Sequence, residues 1–128
     1  MATKFYVCKH CGNVAVKMVD SGVVPSCCGE EMTELKANTV EASAEKHLPV
    51  VTRLDVCTIN VKIGSEPHPM LPEHHIAFVF VETERGGQWI NLTVGKKPEA
   101  VICVCKEKPT AVYEYCNIHG LWKTELHM

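Results

Sequence analysis

The sequence predicts a mainly β protein in two parts: a small four-cysteine metal knuckle, then an immunoglobulin-like antiparallel β-sandwich of about seven strands. Three observations predict it. Four of the eight cysteines, Cys8, Cys11, Cys27 and Cys28, are crowded near the start of a 128-residue chain. From Leu48 onward, short segments rich in Val, Ile, Thr and aromatics alternate with turn residues. Pro49, Pro67, Pro69, Pro72, Pro98 and Pro109 interrupt the same region, so long helices have no room there.

Residues 1–36 hold four cysteines and Gly12, Gly22 and Gly29, but few apolar side chains. A piece this small cannot bury enough surface to be stable alone. Cys8-Lys9-His10-Cys11 is a C-x2-C, and Cys27-Cys28 follows it. Two such pairs on facing knuckles supply four thiolates to one tetrahedral metal. A glycine stands right after each pair, as tight turns require. The adjacent pair is unusual, because neighbouring Cβ atoms usually point apart. A bridge between Cys27 and Cys28 would be strained. Zinc and iron both accept four thiolates, so spacing leaves the metal open, a purely structural zinc knuckle included.

Residues 37–47 read as a linker or an ordered loop, and residues 37–128 as the second part. Its strands are expected in "VVTRLDVC", "TINVKI", "HIAFVFVET", "GQWINLTV", "AVICVCK", "TAVYEY" and "GLWKTELH". Gly86-Gly87 is expected to contribute to a hairpin turn. Cys103 and Cys105 share a parity, which reads as a small apolar pair in the core.

Composition narrows the function. A 46 % hydrophobic share with 22 % charged residues is that of a globular protein. The net charge of −2 argues against a general nucleic-acid binder. No apolar run reaches the length of a membrane span, and no signal-peptide segment is visible. A reducing cytoplasm is therefore expected, where clustered cysteines more often hold metal than form bridges.

Four histidines stand near turns: His47, His68, His74, and His119 just after Cys116. Loops at one end of a sandwich can bring such side chains together. Pro69 and Pro72 stiffen the chain between His68 and His74. Four imidazoles and a thiolate are five ligands, too many for structural zinc. Imidazole with thiolate suits iron or copper. An octahedral iron would keep one position open, and a thiolate opposite it would push electron density there. With ferrous iron the centre carries +1, and with ferric iron +2, which attracts small anions. Lys46 adds positive charge beside His47, and Glu45 offers a carboxylate for the sixth position.

Taken together, Cys8-x2-Cys11 with Cys27-Cys28-Gly29, "EKHLPV", "HPMLPEH" and "YCNIHGLW" resemble desulfoferrodoxin, the two-iron class of superoxide reductase, nearly end to end. The resemblance implies a desulforedoxin-type, rubredoxin-like iron centre at Cys8, Cys11, Cys27 and Cys28. It implies a second iron held by His47, His68, His74 and His119 in plane, with Cys116 as axial thiolate. The implied reaction is one-electron reduction of superoxide to hydrogen peroxide without release of oxygen. Lys46 would steer superoxide and organise protonation, and Glu45 would bind the ferric resting state. Electrons would come from rubredoxin or a similar donor, and the chain would form a homodimer. His75 departs from the pattern, standing where an aromatic such as Tyr is expected. Cys57, Cys103 and Cys105 are not family ligands.

Two other classes compete. A cupredoxin-like or rubredoxin-like electron carrier would transfer electrons without superoxide chemistry. A blue-copper site needs two His, one Cys and a weak axial Met, but the only Met after His119 is the distant Met128. A structural zinc module would explain the first four cysteines and none of the histidines.

Overall fold

The structure, a computed structural model, describes residues 3–127; Met1, Ala2 and Met128 lie outside the described residues. The chain divides into two compact units, Met1–Lys36 and Ala37–Met128.

The first unit is built from five short strands. β1 (Phe5–Val7) pairs antiparallel with β2 (Val14–Val16) and, on its other side, with β5 (Thr33–Leu35). β3 (Ser26–Cys27) and β4 (Glu30–Glu31) form a separate two-stranded ribbon. Tyr6, Cys8 and Met32 form a buried cluster here, with Ala15 and Cys27 against it.

The second unit begins with one helical turn, α1 (Ala44–His47), in the segment that reads as linker or loop. Asn38 ties the entry to it down: its backbone N–H donates to the Leu121 carbonyl at 3.0 Å, and its side chain bonds the Lys123 backbone. Seven strands follow: β6 (Pro49–Arg53), β7 (Thr58–Ile63), β8 (Ile76–Thr83), β9 (Gly86–Asn91), β10 (Glu99–Cys103), β11 (Pro109–Cys116) and β12 (Gly120–Glu125). They form two antiparallel sheets, ordered β10-β7-β6 and β12-β11-β8-β9.

Period-two alternation decides what faces the core between the sheets. On β7, Ile59, Val61 and Ile63 are fully buried, and Val79 and Val81 on β8 are too. The opposite face of the four-stranded sheet is aromatic: Phe78 stacks on Tyr115 and Phe80 meets Tyr113 edge-on. A register shift near the end of β11 pairs Tyr115 with Phe78 but Cys116 with Ile76, leaving Ala77 as a bulge residue. Such bulges re-aim side chains, here at the end of the strand that carries Cys116.

Two local expectations change. The β8–β9 turn is Glu84-Arg85, closed by the Thr83–Gly86 pair, so Gly86 and Gly87 are strand residues. Gly87 is a glycine for packing: a Cβ there would run into the Phe80 ring. Cys103 and Cys105 are not a core pair. At the end of β10 and just beyond it the even positions point inward, with Ile102 and Val104 each 3 % exposed, so Cys103 faces solvent. Cys105 lies beyond the strand and forms a disulfide with Cys57.

Candidate metal centres

In the first unit, the Sγ atoms of Cys8, Cys11, Cys27 and Cys28 converge, all within 4.8 Å of one another. The adjacent pair is reconciled by its backbone. Cys28 takes a left-handed conformation (φ 53°), as does Gly29 after it, and this swings the Cys28 side chain to the same side as Cys27. Their sulfurs are 3.9 Å apart, and those of Cys11 and Cys27 3.6 Å. A tetrahedron with ~2.3 Å metal–sulfur bonds requires about 3.8 Å between sulfurs, so the cluster has the size of one metal ion. The mutual influence of the thiols agrees with this. The Cys11 backbone N–H draws the Cys8 thiol down to about 6. The neighbouring sulfurs, Cys11 first, push Cys28 up to about 12 and Cys27 upward too. Without a cation the group therefore resists holding four thiolates.

In the second unit, His47, His68, His74, Cys116 and His119 gather at one end of the sandwich, again within 4.8 Å. Each arrives on a different piece of chain. His47 ends α1, His68 and His74 lie between β7 and β8, Cys116 ends β11, and His119 sits in the β11–β12 turn. The four rings close a cycle. Centroids are 4.7 Å apart for His47–His68, 4.7 Å for His68–His74, 5.1 Å for His74–His119 and 4.8 Å for His119–His47. Every neighbouring pair is edge-on, between 74° and 89°.

Backbone carbonyls fix which ring nitrogens face inward. His47 Nδ1 donates to the Ser43 carbonyl and His68 Nδ1 to that of Pro69, both at 2.7 Å. Each Nε2 then carries a bare lone pair, and the two Nε2 atoms face each other at 3.1 Å. His119 Nδ1 is also 3.1 Å from His47 Nε2. His74 Nε2 is buried without any hydrogen-bond partner. Converging lone pairs repel unless a cation sits among them. Metal–nitrogen bonds of ~2.1 Å at right angles separate two nitrogens by about 3 Å, as found. Burial holds His47, His68 and His74 in the neutral form that ligation requires, with His68 lowered to about 4.

Cys116 is fully buried, and its Sγ is 3.9 Å from His119 Nδ1. Burial pushes its thiol up, while the His119 backbone N–H donates to the sulfur at 3.3 Å. Four imidazoles in a ring and one thiol give five donors, and this set fits a single octahedral ion with one position left over.

The second unit and the whole chain both have relatives. A family model described as Desulfoferrodoxin matches residues 39–125. A desulfoferrodoxin of Syntrophotalea carbinolica is 38 % identical over 120 residues, 94 % of each chain.

The chain belongs to the desulfoferrodoxin family.

A superoxide reductase of Pyrococcus horikoshii is 35 % identical over 101 residues, 66 % of this chain and 88 % of that one. The crystal structure of the superoxide reductase from Treponema pallidum superposes with a TM-score of 0.81 at 32 % identity, covering 98 % of this chain and 100 % of that one. Both cysteine-containing groups fit the two iron sites that membership of this family implies.

The nine side chains expected from the sequence lie in two groups, four cysteines in the first unit and five donors in the second. Lys46 is exposed on α1 and close enough to His47 and His74 for its ammonium to disfavour their protonation. Glu45 is exposed, and its backbone carbonyl is bound by Ser65 Oγ and the Glu66 N–H, each at 3.2 Å. Trp122 was not singled out by sequence. It stacks on His47 and donates its Nε1–H to the His119 carbonyl at 3.1 Å. Asn117 braces the neighbouring loop: its Oδ1 accepts from the His75 N–H and its Nδ2 donates to the Glu73 carbonyl. A Trp and an Asn inside a "CNIHGLW" segment were the available signal.

Proposed function

We propose that this protein is a superoxide reductase carrying two iron ions per chain. Residues 1–36 would be the desulforedoxin-like module, with iron held by Cys8, Cys11, Cys27 and Cys28. Residues 37–128 would be the catalytic domain, with iron held by His47, His68, His74, His119 and Cys116. The observation that carries the reading is the closed ring of four imidazoles with one buried cysteine as fifth donor. A blue-copper carrier uses two histidines and would leave two of these rings without a task.

When bound, iron supplies the electron and an open position for a small anion. One superoxide, one electron and two protons give one hydrogen peroxide. The chain's own residues do the rest. The Ser43 and Pro69 carbonyls hold the His47 and His68 rings in the tautomer that points Nε2 inward. The buried Cys116 sulfur, steadied by the His119 N–H, excludes water on its side. Lys46 concentrates superoxide near the rings through its positive charge and orders the water that delivers protons. Glu45, exposed on α1 two residues before His47, would offer a carboxylate to the bound ion when no substrate is there.

The electron donor is a rubredoxin or a similar small one-electron carrier, and the protein works in the cytoplasm; no helix among the described residues is long and apolar enough to cross a membrane. A homodimer is supported by the exposed apolar side chains of the first unit: Met18, Val19 and Val23 are 96 %, 86 % and 71 % exposed, and pairing would cover them.

Anaerobically purified protein should contain two irons per chain and consume superoxide with formation of peroxide and no oxygen. Oxygen release, or copper or zinc in the five-donor site, would overturn the reading. His119→Ala should abolish superoxide consumption and leave the colour of the oxidised four-cysteine centre in place.

A further inference from the structure

Three cysteines take no part in either donor group: Cys57, Cys103 and Cys105. Cys57 and Cys105 are joined by a disulfide, and Cys103 is a free exposed thiol. The bridge links the loop before β7 to the loop after β10. It lies at the opposite end of the sandwich from the five-donor group. Cys57 precedes β7 and His68 follows it, and a six-residue strand spans roughly 20 Å. β11 gives the same answer, with Cys105 before it and Cys116 at its end.

Two features distinguish this bridge from a fixed staple. The first is access. Cys105 is exposed and Cys57 half-buried, so the bridge lies at the surface, with Cys105 as the side open to small reagents and to a partner thiol. Exposed disulfides are the ones that exchange. The second is that the backbone already holds the two cysteines. β10 and β7 pair in register from Glu99–Lys62 to Cys103–Thr58. One step beyond, the Val104 N–H donates to the Cys57 carbonyl at 2.6 Å. The Cys57 N–H is held by Asp55 Oδ1 at 2.8 Å, and Arg53 donates to the Asp55 and Val56 carbonyls. Opening the S–S bond therefore leaves both side chains facing each other, ready to close again.

The geometry points to a second redox chemistry in this chain: Cys57 and Cys105 form a reversible two-electron thiol–disulfide centre, oxidised by hydrogen peroxide and reduced by a dithiol. In the closing half, the exposed Cys105 sulfur attacks one peroxide oxygen. The O–O bond breaks, one water leaves, and Cys105 becomes a sulfenic acid. The Cys57 thiol then displaces the hydroxyl as a second water, and the S–S bond forms. Two thiols and one peroxide thus give one disulfide and two waters. In the opening half, one thiol of an external dithiol attacks the bridge and its second thiol resolves the mixed disulfide, so two cysteine thiols return and the dithiol is oxidised. That peroxide is produced on the same chain rests on the reductase reading; the reactivity of these sulfurs does not.

The test uses the full-length, metal-loaded protein with peroxide added directly. Protein is reduced under native conditions with dithiothreitol, exposed to peroxide, alkylated and read by peptide mass spectrometry. The Cys57 and Cys105 peptides should both take up alkylating reagent after dithiothreitol. They should lose it together after peroxide, as one linked peptide pair lighter by two hydrogens, and recover it when dithiothreitol is added again. Cys103, exposed in either state, reports that the reagent had access. A bridge that resists native dithiothreitol while Cys103 is labelled, or thiols that peroxide leaves open, would overturn the proposal. Replacing both Cys57 and Cys105 by Ala should abolish the cycle and leave iron content and superoxide consumption unchanged. A failure of superoxide chemistry with an intact thiol cycle would count against the reductase reading alone.

Discussion

The indole of Trp122 lies nearly parallel to the imidazole of His47, with centroids 4.9 Å apart and 21° between planes. The same indole donates to the His119 carbonyl, so one side chain on β12 orients two donors carried by α1 and the β11–β12 turn. Outer partners of this kind commonly govern metal affinity by about 10–100-fold. Trp122→Ala should weaken iron retention in the second unit by that factor, measured by competition with a chelator. Trp122→Phe keeps a stacking face but loses the donor, and should fall between the two.

Gly64 is fixed by its backbone and by its neighbours. Its φ is +79°, and a Cβ there would press on the backbone carbonyls of Glu66, Lys46 and Glu45. Its N–H donates to the Leu48 carbonyl at 3.0 Å. Gly64→Ala should cost about 1–3 kcal/mol and push α1 away. Chemical denaturation will measure the loss. Because α1 carries His47, iron content should fall alongside it.

Glu114 faces the core between the sheets, fully buried, and neither carboxylate oxygen has a hydrogen-bond partner. Burial holds its carboxyl well above the ordinary 4.5, so the folded protein keeps a proton that the unfolded chain releases. The folded state then binds more protons above pH 4.5, and stability falls as pH rises from there toward the folded value. In metal-free protein, Glu114→Gln should remove that slope, about 1.4 kcal/mol per pH unit. The variant should match the parent below about pH 4.5, the ordinary value, and exceed it at neutral pH. Urea unfolding at several pH values checks both ends.

Lys46 carries the electrostatic part of the proposed reaction. Lys46→Ala should slow the bimolecular reaction with superoxide on the order of tenfold and flatten its dependence on ionic strength. Pulse radiolysis at two salt concentrations measures both. Lys46→Arg should restore much of the rate if charge is what matters.

Much of this was legible in the sequence, for physical reasons. All seven sandwich strands are legible because alternation of buried and exposed side chains is written directly into residue type. The nine donors are legible because few side chains bind metal, and here they cluster at turns. What escaped depends on parity or on backbone. Gly87 reads as a turn glycine, yet it is small because Phe80 covers it. Cys103 and Cys105 share a parity, but Ile102 and Val104 occupy the inward one. The Ser43 and Pro69 carbonyls that orient His47 and His68 carry no residue signature, since any residue has a carbonyl. The left-handed Cys28, which lets adjacent cysteines converge, is likewise visible only in three dimensions.

The spread of the donors along the chain has a consequence for biosynthesis. Cys8 to Cys28 span a short stretch of sequence, whereas His47 and His119 are 72 residues apart. On a ribosome, the four cysteines emerge early and together, and can capture an ion while translation continues. The ring of imidazoles lacks a member until β11 has been made and the turn after it has formed. All five donors can therefore hold an ion only once the last strands of the sandwich have been made. Iron scarcity during growth should leave the late site empty before the early one.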